Sequence, residues 1–476
     1  MLQDFIPRTE VLQIITADQA WHYKIIPKEK SPKLFSFYID KSSDRQSTLD
    51  ELEILFGISV ELYPEDSEVL SKALRMHYRQ AESRIESQNQ NEYKGDSDNF
   101  LSNLIAEAKK LRSSDIHIET YEAKCRVRIR IDGLMVERYK LDKADYPTLV
   151  NKIKIMANLD IAEKRLPQDG RIFFSYQNIK FDIRVSVLPT LHGEKVVLRL
   201  LSNDSSNLDI NKVGFSKFDL ENYLEGIKRP NGILLISGPT GSGKTTTLYS
   251  TLKLLNKESR NILTIEDPIE YTLEGVNQVQ LKESIGLTFG SALRTFLRQD
   301  PDIIMVGEIR DPDTANMAIR AALTGHLVLS TIHTNSAWGT ISRLIDMGIP
   351  PFLVANTLNT SVAQRLIRLL CPHCAEKEEF SEKLYPRQFK PYRIVNYHFL
   401  PKGCDHCYYT GYKGRKAVYE VIPIDFDLAN CIKNGIFDVA KLLADRGIKT
   451  LAENSFELFE NGSTSLEEIY SLLLND

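Results

Sequence analysis

The stretch Gly238-Pro239-Thr240-Gly241-Ser242-Gly243-Lys244-Thr245-Thr246 limits this chain more than any other. An apolar run, Ile233-Leu234-Leu235-Ile236, leads into it, and Leu248, Leu252 and Leu255 follow at helical spacing. Strand, glycine-rich turn and helix in that order fit a phosphate-binding loop: a Gly, four residues, then Gly-Lys-Thr. The glycines let backbone N–H groups converge on an anion, and the helix turns its positive end toward it. Lys244 is placed for the β- and γ-phosphates of a nucleotide, and the Thr245 hydroxyl for Mg²⁺.

The rest of the chain bounds that reading. Its 476 residues suggest about three domains. With 60 basic and 64 acidic side chains the net charge is -4, which gives no electrostatic reason to expect nucleic acid as a partner. No apolar run approaches the roughly 18 residues of a membrane span, and the first residues lack a signal-peptide layout. The expected compartment is therefore cytoplasmic. Residues 1–85 read as a separate docking domain without a chemical motif, and the polar stretch 86–99 as a linker.

A second domain, 100–207, opens with an apolar helical face of Phe100, Leu101, Leu104, Ile105, Ala108 and Leu111. Alternating strands follow at 115–119 and 126–131, the latter ending in the hairpin signal Asp132-Gly133, with further strands at 181–187 and 196–201. Arg126, Arg128 and Arg130 share one strand face, for which solvation is the commoner explanation than phosphate. From 208 to 365, strands alternate with helices around the phosphate loop, the order of a parallel sheet covered on both faces. Its candidate strands are 233–236, 262–265, 303–306 and 327–329. Polar clusters close them: Glu266-Asp267-Pro268-Ile269-Glu270, then Gly307-Glu308-Ile309-Arg310-Asp311, then Thr331-Ile332-His333-Thr334. In an open α/β sheet such clusters converge outside the carboxyl ends. Where a magnesium-binding acid is expected straight after Val306 stands Gly307, and Glu308 follows. His326 and His333 flank the fourth strand and are candidate sensors of the γ-phosphate or the catalytic carboxylate.

Cys371-Pro372-His373-Cys374 and Cys404-Asp405-His406-Cys407 are two chelating pairs separated by 29 residues. Four thiolates so paired suit tetrahedral zinc, in a module spanning 366–415, better than a redox disulfide. A C-terminal helical segment, 416–476, completes the expected order.

Taken together, GPTGSGKTTTLYS, TIEDPIEY, LRQDPDIIMVGEIRD, TGHLVLSTIHTNSA, SDIHIE and RVSVLPTLHGEKVVLRLL resemble the GspE/PulE/PilB family of type II secretion and type IV pilus assembly ATPases. The resemblance covers residues 100 to about 425. It implies an α/β fold: a RecA-like ATPase core, a PAS-like α+β domain before it, a small zinc module and a separate N-terminal docking domain. By the same resemblance Glu270 activates water and Glu308 acts through Mg²⁺, with Gly307 an ordinary family feature. Arg184 and Arg199 of the second domain, and Arg294, Arg298 and Arg310 of the core, match arginines that reach the phosphates. The implied protein is a homo-hexameric motor at the cytoplasmic face of the inner membrane. It would use ATP and Mg²⁺, and engage a platform protein and a membrane-anchored docking partner. The tetracysteine module fits an assembly or secretion motor of that family better than a retraction motor; type II secretion is the leading expectation, with pilus assembly or a DNA-uptake pseudopilus as alternatives. A nucleic-acid translocase and a non-catalytic scaffold are the competing classes. The absence of a basic strip argues against the first, and Lys244, Thr245, Glu270 and Glu308 against the second.

Overall fold

The computed structural model describes residues 11, 14–15, 17–31, 34–67, 69–70, 73–74, 91–92, 97–176, 179–201 and 208–474. Two units make up the chain, 1–90 and 91–476. In the first, strand Leu34–Asp40 pairs antiparallel with Ile25–Lys30 and parallel with Ser59–Glu65. Helix Arg45–Phe56 makes the crossover. Asp44 caps its start by accepting from the Gln46 and Ser47 amides, and Gly57 ends it at φ 65°, where any Cβ is strained. Ile25, Ile26, Phe37, Ile39, Leu52 and Leu62 fill the core. The spacing of Val69, Leu70, Leu74 and Met76 in the sequence suggests a helix; Val69, Leu70 and Leu74 are helical, while Met76 lies outside the described residues.

The second unit begins inside the expected linker. Asn91–Glu92 pairs with the Leu134–Leu141 strand, and helix Ser97–Lys110 starts three residues before Phe100. Seven strands form one sheet, ordered Asn91–Glu92, Leu134–Leu141, Cys125–Ile131, Asp115–Thr120, Gly193–Leu200, Ile179–Thr190, Gln168–Tyr176. Helices Ser97–Lys110 and Tyr146–Met156 share its core, where Leu101, Leu104, Ile105 and Ala108 are all buried. Two of the three strand arginines turn out to serve a buried carboxylate, while Arg130 pairs with Asp115 at 3.6 Å. Glu119 is almost fully buried and takes Arg126, Arg128 and Lys195 at 2.8–3.1 Å. Burial works to raise its pKa, but the bonds and charges of Arg128 and Lys195 win and hold it at about 2.

The motor sheet also has seven strands, ordered Asn277–Gln280, Ile262–Glu266, Ile303–Val306, Leu327–Ile332, Gly232–Ser237, Leu358–Leu370, Tyr412–Pro423. The first six run parallel and the last antiparallel. Gly232–Ser237 is buried throughout, as a central parallel strand between two helical layers must be. Helix Lys244–Leu255 belongs to the core on one face, and Leu451–Glu460 and Leu466–Leu473 to the core on the other. Two boundaries differ from the sequence reading. Leu358–Leu370 runs through the position 365/366 division, and Tyr412–Pro423 carries residues 416–423 into the sheet, so the C-terminal segment is not helical alone. The register pair Leu370↔Tyr412 closes this hairpin, and the cysteine module is the loop between them.

Candidate functional site

The glycine loop joins Gly232–Ser237 to helix Lys244–Leu255 at the carboxyl end of the sheet. Gly238, Gly241 and Gly243 have φ of 150°, 82° and 89°, and a Cβ on Gly238 would stand 2.5 Å from the Gln364 carbonyl. Lys244 Nζ donates to the carbonyls of Gly238 at 2.7 Å and Pro239 at 3.1 Å. Burial pushes this ammonium down to about 8, against the pull of Glu308 and with a further push from Arg365. Ser242 Oγ is buried without a partner, and Thr245 is exposed on the first helical turn. A partly buried ammonium, an orphan hydroxyl and a helix N-terminus with open glycines together suit a polyphosphate.

Glu266 and Glu270, two of the three acids in the first cluster, have different surroundings. Glu266 is buried and receives Tyr249 Oη, Thr264 Oγ1 at 2.6 Å and Gln278 Nε2 at 3.0 Å, so it is structurally committed. Glu270 keeps its carboxylate partly open, 3.5 Å from Arg184. The Glu270 amide donates to Tyr249 Oη at 3.3 Å, so the Tyr249–Glu266 pair fixes the backbone beneath it. Burial and the neighbouring Glu266 charge raise the Tyr249 pKa, keeping that hydroxyl protonated. Arg184 also donates to the Ile269 carbonyl at 2.8 Å, which joins the second domain to this loop within one chain.

Glu308 faces Arg310 and, at 3.4 Å, His333 Nε2. Gly307 sits where a Cβ would come within 3.3 Å of the Ile265 carbonyl, so the adjacent strand leaves no comfortable room for a side chain there. Glu308, Arg310 and His333 line a cavity of about 260 Å³ together with Arg343, a cation on helix Gly339–Asp346 that the sequence motifs do not single out.

Three expected site residues lie elsewhere. His326 precedes the Leu327–Ile332 strand, whose six residues span about 20 Å, so it sits at the amino end of the sheet. There its Nδ1 meets the Ala321 carbonyl at 2.8 Å, at the end of helix Pro312–Leu323. Arg294 pairs with Asp313 of helix Pro312–Leu323 at 3.7 Å, and Arg298, just past helix Phe289–Phe296, donates to the Arg294 carbonyl at 2.9 Å, so neither is held at this chain's loop. Arg199 is largely exposed and bound to Asp115 at 3.0 Å. It is nonetheless the register partner of Arg184, which in turn pairs with Arg171. Directly paired residues share a sheet face, so three arginines form a row whose middle member touches Glu270. Arg171 was missed because its strand, Gln168–Tyr176, begins in a polar, glycine-containing stretch.

The four cysteine sulfurs lie within 4.8 Å of one another. Cys371–Cys404, Cys374–Cys407 and Cys404–Cys407 are 3.9, 3.7 and 3.8 Å apart, too long for disulfides. Zinc–sulfur bonds of about 2.3 Å in a tetrahedron imply sulfur separations of about 3.8 Å, so the cluster could hold such an ion. Amides of Cys404 and Gly411 point at Cys407 Sγ, both at 3.2 Å, as a thiolate ligand requires. His373 and His406 stack on each other at 4.1 Å.

Residues 90–471 match the family model described as Type II/IV secretion system protein. The type IV pilus assembly ATPase PilB of Myxococcus xanthus is 42% identical over 98% of this chain and 87% of its own. The type II secretion system protein E of Dickeya dadantii is 45% identical over 78% of this chain and 74% of its own. Among solved structures, the pilus retraction motor PilT with bound ADP aligns at a TM-score of 0.53 and 27% identity, over 78% of this chain and 96% of that one. The mixed α/β architecture is consistent with a RecA-like ATPase. Because the family match takes in the second domain, the motor sheet and the cysteine module together, the chain belongs to the Type II/IV secretion system protein family.

Proposed function

We propose that this chain hydrolyses ATP as the motor of a type II secretion system, powering pseudopilus assembly and protein export. The observation that carries the reading is the meeting of Glu270 and Arg184 from two domains beside a loop whose Lys244 is held by carbonyls alone. Lys244 would exchange those carbonyls for the β- and γ-phosphates, which restores the charge that burial disfavours. Glu270, its backbone fixed through Tyr249, would orient and deprotonate the attacking water. Arg184, with Arg171 and Arg199 in the same row, would face the transferred group. Arg310 and His333 hold Glu308 in place. Thr245 and Glu308 would hold magnesium, which when bound neutralises phosphate charge. Cys371, Cys374, Cys404 and Cys407 would hold zinc as a structural ion. Arg294 and Arg298, exposed and away from this chain's own loop, would serve a neighbouring subunit of a homo-hexamer.

The work would be done at the inner membrane through a platform protein, with residues 1–85 engaging a membrane-anchored partner. No helix among the described residues is long and apolar enough to cross a membrane, so that attachment would be through partners. A second reading, type IV pilus assembly, is favoured by the PilB match, which extends over 98% of this chain against 78% for the secretion protein. Phosphate release by the full chain, abolished in Lys244→Ala, tests the ATPase. Recovery of a secretion or a pilus membrane partner through residues 1–85 separates the two pathways.

A further inference from the structure

His333 is followed by a short loop, Thr334 to Trp338, that is fastened on every side. Ser237, the last residue of the strand feeding the phosphate loop, donates its hydroxyl to the Ser336 carbonyl at 3.4 Å. Ser361 Oγ donates to the Ala337 carbonyl at 2.7 Å. Arg365 Nη2 donates to the Asn335 carbonyl at 3.0 Å, and its Nη1 to the Gln364 carbonyl, also at 3.0 Å. Among the described residues Arg365 makes no ion pair. Its Nη1 lies 3.1 Å from where a Cβ on Gly238 would stand, so the guanidinium rests against the first glycine of the phosphate loop.

Glu420 completes the fastening from the last strand of the sheet. It is buried, accepts from the Ala337 amide at 2.9 Å, and with its other oxygen accepts from the Leu451 amide at 3.3 Å. One carboxylate thus ties the loop after His333 to the start of helix Leu451–Glu460. A buried carboxylate is costly unless its oxygens are satisfied, and here the bonds go to backbone amides of two separate segments.

We infer that Arg365 and Glu420 are positioning residues: they hold the 334–338 loop so that His333 meets Glu308 beside the phosphate loop, and they link that geometry to the C-terminal helices. Neither touches the reacting atoms. They act through the backbone on either side of His333, whose Nε2 must stay within reach of the Glu308 carboxylate. The inference rests on the ATPase reading, and the wild-type chain separates the two. If the wild type releases no phosphate from ATP, the ATPase reading fails.

With an active wild type, Arg365→Gln and Glu420→Gln are assayed in the full chain beside His333→Ala and both double variants. The expected result is a kcat reduced at least about tenfold, with the Kd for a fluorescent ATP analogue within about threefold of wild type. Arg365→Lys, which keeps a donor for Asn335, should recover most of the loss. Residues acting through His333 are not additive with it, so Arg365→Gln should cost less than about twofold more once His333 is alanine. Multiplying effects in that cycle, or kcat within twofold of wild type in both single variants, overturns the inference. Should Arg365→Gln fail to fold, the Glu420→Gln cycle decides alone by the same criteria.

Discussion

The phosphate loop and the four-cysteine cluster are two pre-shaped receptors built by opposite means. The loop takes its shape from one continuous stretch, where three glycines open the backbone and the following helix supplies aligned amides. The cluster takes its shape from two knuckles carried by separate segments, held together through the hairpin whose ends pair at Leu370 and Tyr412. Local receptors keep their form when emptied, because backbone geometry maintains it. A cluster of thiols far apart in the chain depends on its ion, because four sulfurs at van der Waals distance have no other strong attraction.

The largest expected effect is therefore loss of the ion. Structural zinc in small sites contributes on the order of 10–16 kcal/mol of apparent binding free energy at neutral pH. Cys371→Ser, or chelation, should make residues 371–411 sensitive to protease while nucleotide binding persists. The aromatic contacts from Phe380 and Phe389 to Phe459 and Phe456, at 5.4 and 5.9 Å, should loosen with it. A purified chain without zinc and with four titratable thiols would break the comparison at its base.

At the loop end, Glu270→Gln should cut turnover by about 10² or more while nucleotide affinity stays near wild type, since an amide cannot take the proton. Phosphate release and binding measured together check it. Next in size come the row arginines. Arg184 touches the Glu270 loop directly, whereas Arg199 is exposed and tied to Asp115. Both alanine variants should lose at least about tenfold in turnover, with Arg184→Ala the worse, against an arginine-finger range of about 10³–10⁵. A loss of twofold or less for Arg199→Ala in a folded full chain would return it to the surface.

Smaller, and away from both receptors, is the pH response of Glu119. Its folded pKa of about 2 lies below the ordinary value of about 4.3, so its stabilisation is present above pH 4.3 and fades as pH falls toward 2. Glu119→Gln should lower the melting temperature at pH 7 and flatten its fall between pH 4.3 and 2. Smallest of all is His326→Ala. It removes a bond to one helix-end carbonyl, so turnover should stay within about twofold.

The local receptor was legible in the sequence, and so were the four strands whose carboxyl ends carry its loop, acids and His333. Apolar runs such as Ile303–Val306, all buried, state their own burial. Leu358–Leu370 was not legible, although it lies beside the central strand. Asn359, Thr360, Ser361 and Gln364 are buried there and make the segment look like a surface. Three of them have distant partners: Asn359 donates to the Asn231 carbonyl at 2.8 Å, Ser361 to the Ala337 carbonyl at 2.7 Å, and Gln364 accepts from Thr247 at 3.0 Å. Polar residues satisfied by remote groups carry no periodic signal. The same blindness put Glu266 and Glu270 in one acidic cluster, although three donors commit the first and leave the second open to solvent. His326 was misplaced for a simpler reason, since the strand between two histidines separates them by its own length.

The register pair at the mouth of the cysteine module has a consequence for engineering and for descent. Residues paired across antiparallel strands have Cα atoms about 5 Å apart, the span of a tight turn. The sheet thus completes its hairpin whatever the intervening segment contains. The module is a graft: its forty or so residues can be shortened, replaced by a short turn or exchanged for another insert without moving the strands beside the phosphate loop. What such an exchange must supply is a cover for the rings of Phe456 and Phe459, which the module now shelters.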